Sequence, residues 1–283
     1  MAEAIHPGEW KKGLVRWGGL ALLVASLIYL ARALAKLDFA HLVASTDWRV
    51  WLLTALLAGV YGASLGLLAK GWSALAAPGR DLPPAQILAI YAPGAIAKYV
   101  PGSVLQYASR HVMGRRAGLE HGPMAKASVA EAGLHVAIAL ALAGGLLAGA
   151  GWWVAGVAAA TGITLAIRPS RPLIGCLAWQ LMFFAVFAAI VIVLGQSGAS
   201  ATDSGRLAGY FFVAWAAGFL VPIAPGGIGV REAVLLAVAV HTESAETAAL
   251  LALLARLVGS AGDGLFGLAG YFAASRLSNT QAS

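Results

Sequence analysis

The chain has 283 residues, of which 60 % are hydrophobic and 11 % charged, with a mean hydropathy of +0.81. Soluble domains carry roughly 25 % charged residues, so this composition excludes a soluble globular fold and predicts a membrane protein. The formal net charge of +7 reads as basic charge in the loops between spans, not as a nucleic-acid footprint.

A helix that crosses the bilayer needs about 20 apolar residues. The first such run is residues 15–34, preceded by Lys11, Lys12 and Arg16. It is too long for the core of a signal peptide and lacks a cleavage site, so it is expected to stay as an anchor. The second run is residues 50–69, followed by Lys70 and Arg80.

Residues 84–110 are apolar but interrupted. They contain Tyr91-Ala-Pro-Gly-Ala-Ile-Ala-Lys-Tyr-Val-Pro-Gly-Ser103. Proline removes a backbone donor and glycine disfavours a helix interior, so the segment predicts a broken hairpin, here hairpin A, with no helix running through it. The third run, residues 127–148, follows Arg115 and Arg116 and carries Glu131 and His135. The fourth, Trp152–Ile167, is short and is followed by Arg168 and Arg171. The fifth, residues 172–194, holds Cys176, the only cysteine, which excludes an intrachain disulfide and a multi-cysteine metal site.

Residues 207–240 form a second interrupted segment, hairpin B, around Val221-Pro-Ile-Ala-Pro-Gly-Gly-Ile-Gly-Val-Arg-Glu232. The sixth run, residues 248–274, contains Arg256, Ser260 and Asp263 and ends near Arg276. Lysine and arginine collect on one side if both hairpins return to the side they left, which predicts both termini in the cytoplasm of a bacterial-type inner membrane. Four full spans in place of the hairpins would return the chain to the same sides, so the charges do not distinguish the two. The shortness of each interrupted arm favours re-entry, with hairpin A entering from the cytoplasm and hairpin B from the other side. The expected fold is an all-α integral membrane protein. It has about six transmembrane helices plus two oppositely oriented re-entrant helical hairpins. A single polytopic domain is built as an inverted repeat of residues 15–148 and 152–274. Broken helices in corresponding halves point to the substrate site of a transporter.

The candidate site lies around the two tips. A helix beginning after Gly102 or after Gly229 would aim free N–H groups at the break, and such a terminus favours anions. This makes Pro101, Gly102 and Ser103 of tip A, and Pro225, Gly226, Gly227 and Gly229 of tip B, candidate backbone elements. Lys98, Arg110 and Arg231 lie beside them in sequence. Glu131 shares a helix face with His135, Arg256 and Asp263 are two turns apart, and Glu232 adds a further carboxylate near tip B. Charges inside spans are expensive and usually face a cavity or each other. They predict either a polar track for a headgroup or a structural Arg256–Glu131 pair locking the halves. Most tryptophans, including Trp48, Trp72, Trp152 and Trp153, are expected at interface belts.

Nucleotide-binding loops, HExxH and CxxC patterns are absent, and Pro225-Gly-Gly-Ile-Gly falls short of a dinucleotide fingerprint. No cofactor, metal or enzymatic activity is expected.

Ala97-Lys-Tyr-Val-Pro-Gly-Ser-Val-Leu-Gln-Tyr-Ala-Ser-Arg110 and Ala224-Pro-Gly-Gly-Ile-Gly-Val-Arg-Glu-Ala233 resemble motifs of the flippase-like transmembrane region found in lysylphosphatidylglycerol synthases. Glu131 and Leu254-Ala-Arg-Leu257 also fall where that family tends to carry a glutamate and an arginine. The resemblance covers roughly residues 15 to 275 and implies movement of lipid headgroups between leaflets. Relatives are associated with aminoacylated phosphatidylglycerol, hopanoid and glycolipid pathways. No soluble aminoacyl-transfer domain follows the last span, so the resemblance implies a stand-alone flippase for a phosphate-containing lipid made elsewhere. A lipid-modifying enzyme or glycosyltransferase is the implied source. A membrane enzyme or subunit that transfers a group onto a lipid, and a small-anion transporter, are the alternatives.

Overall fold

The computed structural model describes residues 28, 43, 44, 46–100, 105–167, 171–198, 201–221, 224–239, 242 and 244–282. The predicted first span apart from Ile28, the tip A residues Pro101, Gly102 and Ser103, and the loop charges Lys11, Lys12, Arg16 and Arg168 lie outside them. Among the described residues there is no strand. The helices are α1 Trp48–Ala76, α2 Pro84–Ala97, α3 Leu105–Arg116, α4 His121–Leu147, α5 Trp152–Ile167, α6 Pro172–Gly195, α7 Ala201–Leu220, α8 Val230–Ala239 and α9 Ala245–Ala282. A single 3₁₀ turn, Pro225–Gly227, precedes α8.

Four of these helices, α1, α4, α6 and residues Ala245–Leu277 of α9, are long and apolar enough to cross a membrane. This is an all-α membrane protein. The second, third, fifth and sixth predicted runs correspond to α1, α4, α6 and α9, each longer than its apolar stretch. α5 is 16 residues, as short as its sequence reads.

Local chemistry sets the ends. The Asp47 carboxylate accepts from Arg49 N at 2.8 Å and caps α1. Pro172 opens α6, where a missing N–H costs nothing. Gly149 and Gly151, both at positive φ, make the tight turn from α4 into α5.

Hairpin A corrects one expectation. α2 runs straight through Pro93-Gly94 and ends at Ala97. Neighbouring helices can compensate a proline at membrane depth, and the missing Cβ at Gly94 is what α3 packs against, as described below.

Packing follows a regular scheme. α1 lies on α6, α2 on α9, and α7 on α4. The hairpin arms pair as α2 with α3 and α7 with α8. α3 touches α4 and α8 touches α9. Exchanging α1 with α6, α2 with α7, α3 with α8 and α4 with α9 turns each of these contacts into another one of them. The outer stripe Trp48, Leu52, Leu56 and Val60 of α1 stays exposed, as a lipid-facing stripe would. The centre is aromatic: Phe183, Phe184 and Phe187 of α6 meet Phe211, Phe212 and Trp215 of α7, with Tyr61 of α1 alongside. In lipid such a core is held by van der Waals contact more than by exclusion of water. Trp48, Trp152 and Trp153 are exposed at helix ends as expected, but Trp72 is buried and meets Tyr91 edge-on. It is a core residue, not part of a belt.

Candidate functional site

The ionisable residues singled out in the sequence converge. Lys98, Arg110, Glu131, Arg231, Glu232, Arg256 and Asp263 all line one cavity of about 120 Å³. That volume holds several water molecules. The walls come from α1, α2, α3, α4, α6, α7, α8 and α9, so the cavity exists only where both hairpins meet the long helices.

Three ion pairs occupy it. Arg110 Nη1 of α3 meets Glu131 Oε2 of α4 at 2.9 Å. The other Glu131 oxygen accepts from the Tyr91 hydroxyl. The backbone carbonyl of Glu131 accepts from His135 Nδ1 at 2.8 Å. Lys98 Nζ meets Asp263 Oδ2 at 2.7 Å, and the Tyr99 hydroxyl donates to the same oxygen at 2.6 Å. Arg256 pairs with Glu232 Oε1 through two of its nitrogens and donates from Nη1 to the Gly226 carbonyl at 3.0 Å. The expected Arg256–Glu131 lock is not formed. Each partner instead pairs within its own half, because the helix after each hairpin lies against that hairpin's second arm.

Arg231 is the exception. No carboxylate among the described residues pairs with it, and its Nε has no acceptor. Its guanidinium lies over the Trp215 ring at 5.2 Å, a favourable cation–π placement. Asp263 Oδ1 is likewise buried without a partner.

The tips touch. Gly226 N donates to the Lys98 carbonyl at 2.9 Å, joining hairpin B to hairpin A. Gly227 N and Ile228 N donate to Ala224 and Pro225, and Gly229 N donates to Glu232 Oε2 at 2.8 Å. These four amides of tip B are therefore taken. The Glu232 carboxylate thus takes the N-cap amide of α8, and among the described residues of the cavity the cation without a carboxylate is Arg231.

Sequence reasoning overlooked the aromatic and glycine residues that hold the arginines. Arg110 lies over the Tyr91 ring at 3.5 Å and against Gly94, where a Cβ would stand 2.8 Å from Arg110 Nε. Arg231 lies over Trp215 and against Gly218, where a Cβ would stand 2.4 Å from Arg231 Cγ. Each first arm thus offers an aromatic and, three residues on, a glycine. Tyr91-Ala-Pro-Gly94 and Trp215-Ala-Ala-Gly218 were readable as a repeated signal.

A second concavity lies between α4, α5 and α6. It measures about 500 Å³ and is apolar except for Thr161, with Trp153, Val157 and Leu181 in its wall. Among the described residues no group of three His, Cys, Asp or Glu is placed to hold a metal. Comparison with known proteins finds no family model, no curated protein and no solved structure that matches this chain.

Proposed function

We propose that the chain is a lipid transporter that moves a phosphate-bearing headgroup between leaflets, with the phosphate held at Arg231 and the tails left in the bilayer. The observation that carries this reading is the uncompensated arginine in a polar cavity at the meeting point of two broken hairpins. A half-buried charge without a counterion at membrane depth is disfavoured; an incoming anion supplies the partner. Arginine suits phosphate because its planar fork donates two parallel hydrogen bonds. The motif resemblance to the flippase-like region supports a lipid cargo.

The proposed architecture is an inverted repeat with re-entrant hairpins, both termini being cytoplasmic in a bacterial inner membrane. The contacts of the hairpin arms, which map onto one another when the halves are exchanged, support the repeat. Three hairpin arms, α2, α3 and α8, have 14, 12 and 10 residues. At 1.5 Å per residue they reach about 21, 18 and 15 Å, short of a roughly 30 Å core. α7, with 20 residues, is long enough to cross and gives no such support.

The small cavity volume favours one further reading, a small-anion transporter using the same arginine. Reconstitution into vesicles separates the two. Wild-type protein should exchange fluorescent phospholipids between leaflets without accumulating inorganic phosphate. Arg231→Ala should lose exchange by tenfold or more while remaining folded, and Arg231→Lys should retain part of it. Full exchange in Arg231→Ala would overturn the site assignment; phosphate uptake without lipid exchange would establish the small-anion reading.

A further inference from the structure

The charges of the cavity can be counted. Lys98, Arg110, Arg231 and Arg256 supply four positive charges, and Glu131, Glu232 and Asp263 supply three negative ones. Each carboxylate holds one cation at hydrogen-bond distance. His135, packed among Phe184, Trp215 and Phe219, is counted neutral. The amides of residues 226 to 229 already have acceptors and bring no free donor. Among the described residues the surplus is one positive charge, and it resides on Arg231.

The paired cradles give a second, independent line. In the first, an arginine lies over an aromatic ring and a glycine, and a carboxylate, Glu131, completes it. In the second, the ring, the glycine and the arginine are present, and no carboxylate among the described residues pairs with the arginine. The helix that answers to α4 is α9; it lines the cavity with Ala252, Ala255, Arg256, Gly259, Ser260 and Asp263, and its one carboxylate there, Asp263, is held by Lys98 and not by Arg231. The Glu131 carboxylate is the chain's own sample of what an arginine so cradled takes: one negative charge shared over two oxygens.

We infer that the Arg231 subsite takes a single negative charge, selecting a phosphodiester monoanion over a phosphomonoester dianion. The inference rests on the anion-transport reading above and sharpens its substrate class. A monoanion brings the cavity to neutrality. A dianion would leave one negative charge in the cavity without a partner, which is costly. The two non-bridging oxygens of a diester also match the guanidinium fork.

The test uses the full chain in vesicles, with a phosphatidylglycerol probe as the diester and a phosphatidic acid probe as the monoester. Soluble dimethyl phosphate and methyl phosphate serve as the matching non-lipid pair. The second proton of a phosphomonoester leaves near pH 6, so the monoester is mostly a monoanion at about pH 5 and a dianion at about pH 8.5. Diester exchange should exceed monoester exchange at least tenfold at the higher pH. The gap should close at the lower pH while the diester rate stays level. Glu232→Gln raises the surplus to two charges and should move the preference toward the dianion; the pH comparison on wild type stands whether or not that variant folds. Equal rates at the higher pH, or a faster monoester, would overturn the inference and leave transport intact. Uptake of the soluble pair alone would overturn the lipid cargo, and the charge rule would then be read on that pair. Movement of none of the four probes would overturn both.

Discussion

Gly62 of α1 and Gly262 of α9 meet backbone to backbone. A Cβ on Gly62 would stand 2.8 Å from the Gly262 carbonyl oxygen, and one on Gly262 would stand 2.7 Å from that of Ala58. Real Cβ atoms do not approach this closely, so both positions are held to glycine by the crossing itself. Small residues at crossings let membrane helices approach, which is where most of their packing energy arises. The crossing lies at Asp263 and Tyr61, so it also fixes one wall of the polar cavity.

Gly62→Ala should therefore push α1 from α9 and lower the detergent melting temperature. Overpacking costs about 1–3 kcal/mol. Gly66→Ala, one turn further along α1, meets nothing within 4 Å and should be neutral. Equal melting temperatures for both variants would remove the crossing from this account.

The two cradles respond differently to the same substitution. At Gly94 a Cβ meets the backbone oxygen of Gln106 at 2.8 Å as well as Arg110, so Gly94→Ala must move α3 bodily. At Gly218 its three nearest neighbours all belong to the Arg231 side chain. Gly94→Ala should lose stability by about 1–3 kcal/mol. Gly218→Ala should keep most of its stability and lose transport, because the arginine is displaced. Thermal melts and leaflet exchange measured on both variants check this.

Arg110 and Glu131 are nearly closed to solvent, with side chains 8 % and 5 % exposed. Breaking such a pair leaves a buried charge and costs about 3–5 kcal/mol, whereas replacing both partners by apolar groups can be close to neutral. Glu131→Gln and Arg110→Met should each be strongly destabilised. The double variant should be more stable than either single one. A double-mutant cycle in detergent gives the coupling, and strict additivity would contradict the pairing.

His111 at the end of α3 hydrogen-bonds His121 at the start of α4. Partial burial, then the neighbouring His121 and Arg115, hold the His111 imidazole below its ordinary value of 6.5. The folded chain thus takes up this proton less readily than the unfolded one. Its contribution is present above about pH 6.5 and is lost as pH falls below that value. His111→Gln should flatten the decline in melting temperature between pH 7 and pH 5. An unchanged decline would place the acid sensitivity elsewhere.

Much of the fold was legible because spans are written in composition. A bilayer core demands long apolar helices, and the runs at 50–69, 127–148, 172–194 and 248–274 became α1, α4, α6 and α9. The break after Lys98 and the start of α8 at Val230 followed from proline and glycine. Pro93 was misread, since a proline ends a helix only when nothing nearby compensates for its missing donor. The clustering of the seven ionisable residues was also legible: charges at membrane depth are costly, and these seven share one cavity.

By itself, then, the sequence determined that this is a helical membrane protein and that its intramembrane charges must keep company. Those follow from the cost of placing polar groups in hydrocarbon, which depends on residue type and run length alone. Only the tertiary structure decided who pairs with whom. Glu131 chose Arg110 over Arg256, Glu232 took both Arg256 and the amide of Gly229, and Arg231 was left over. Pairing is a matter of a few ångströms between helices distant in sequence. Those ångströms are set by where Gly94, Gly218, Gly62 and Gly262 let backbones and side chains approach, which no pattern of hydropathy records.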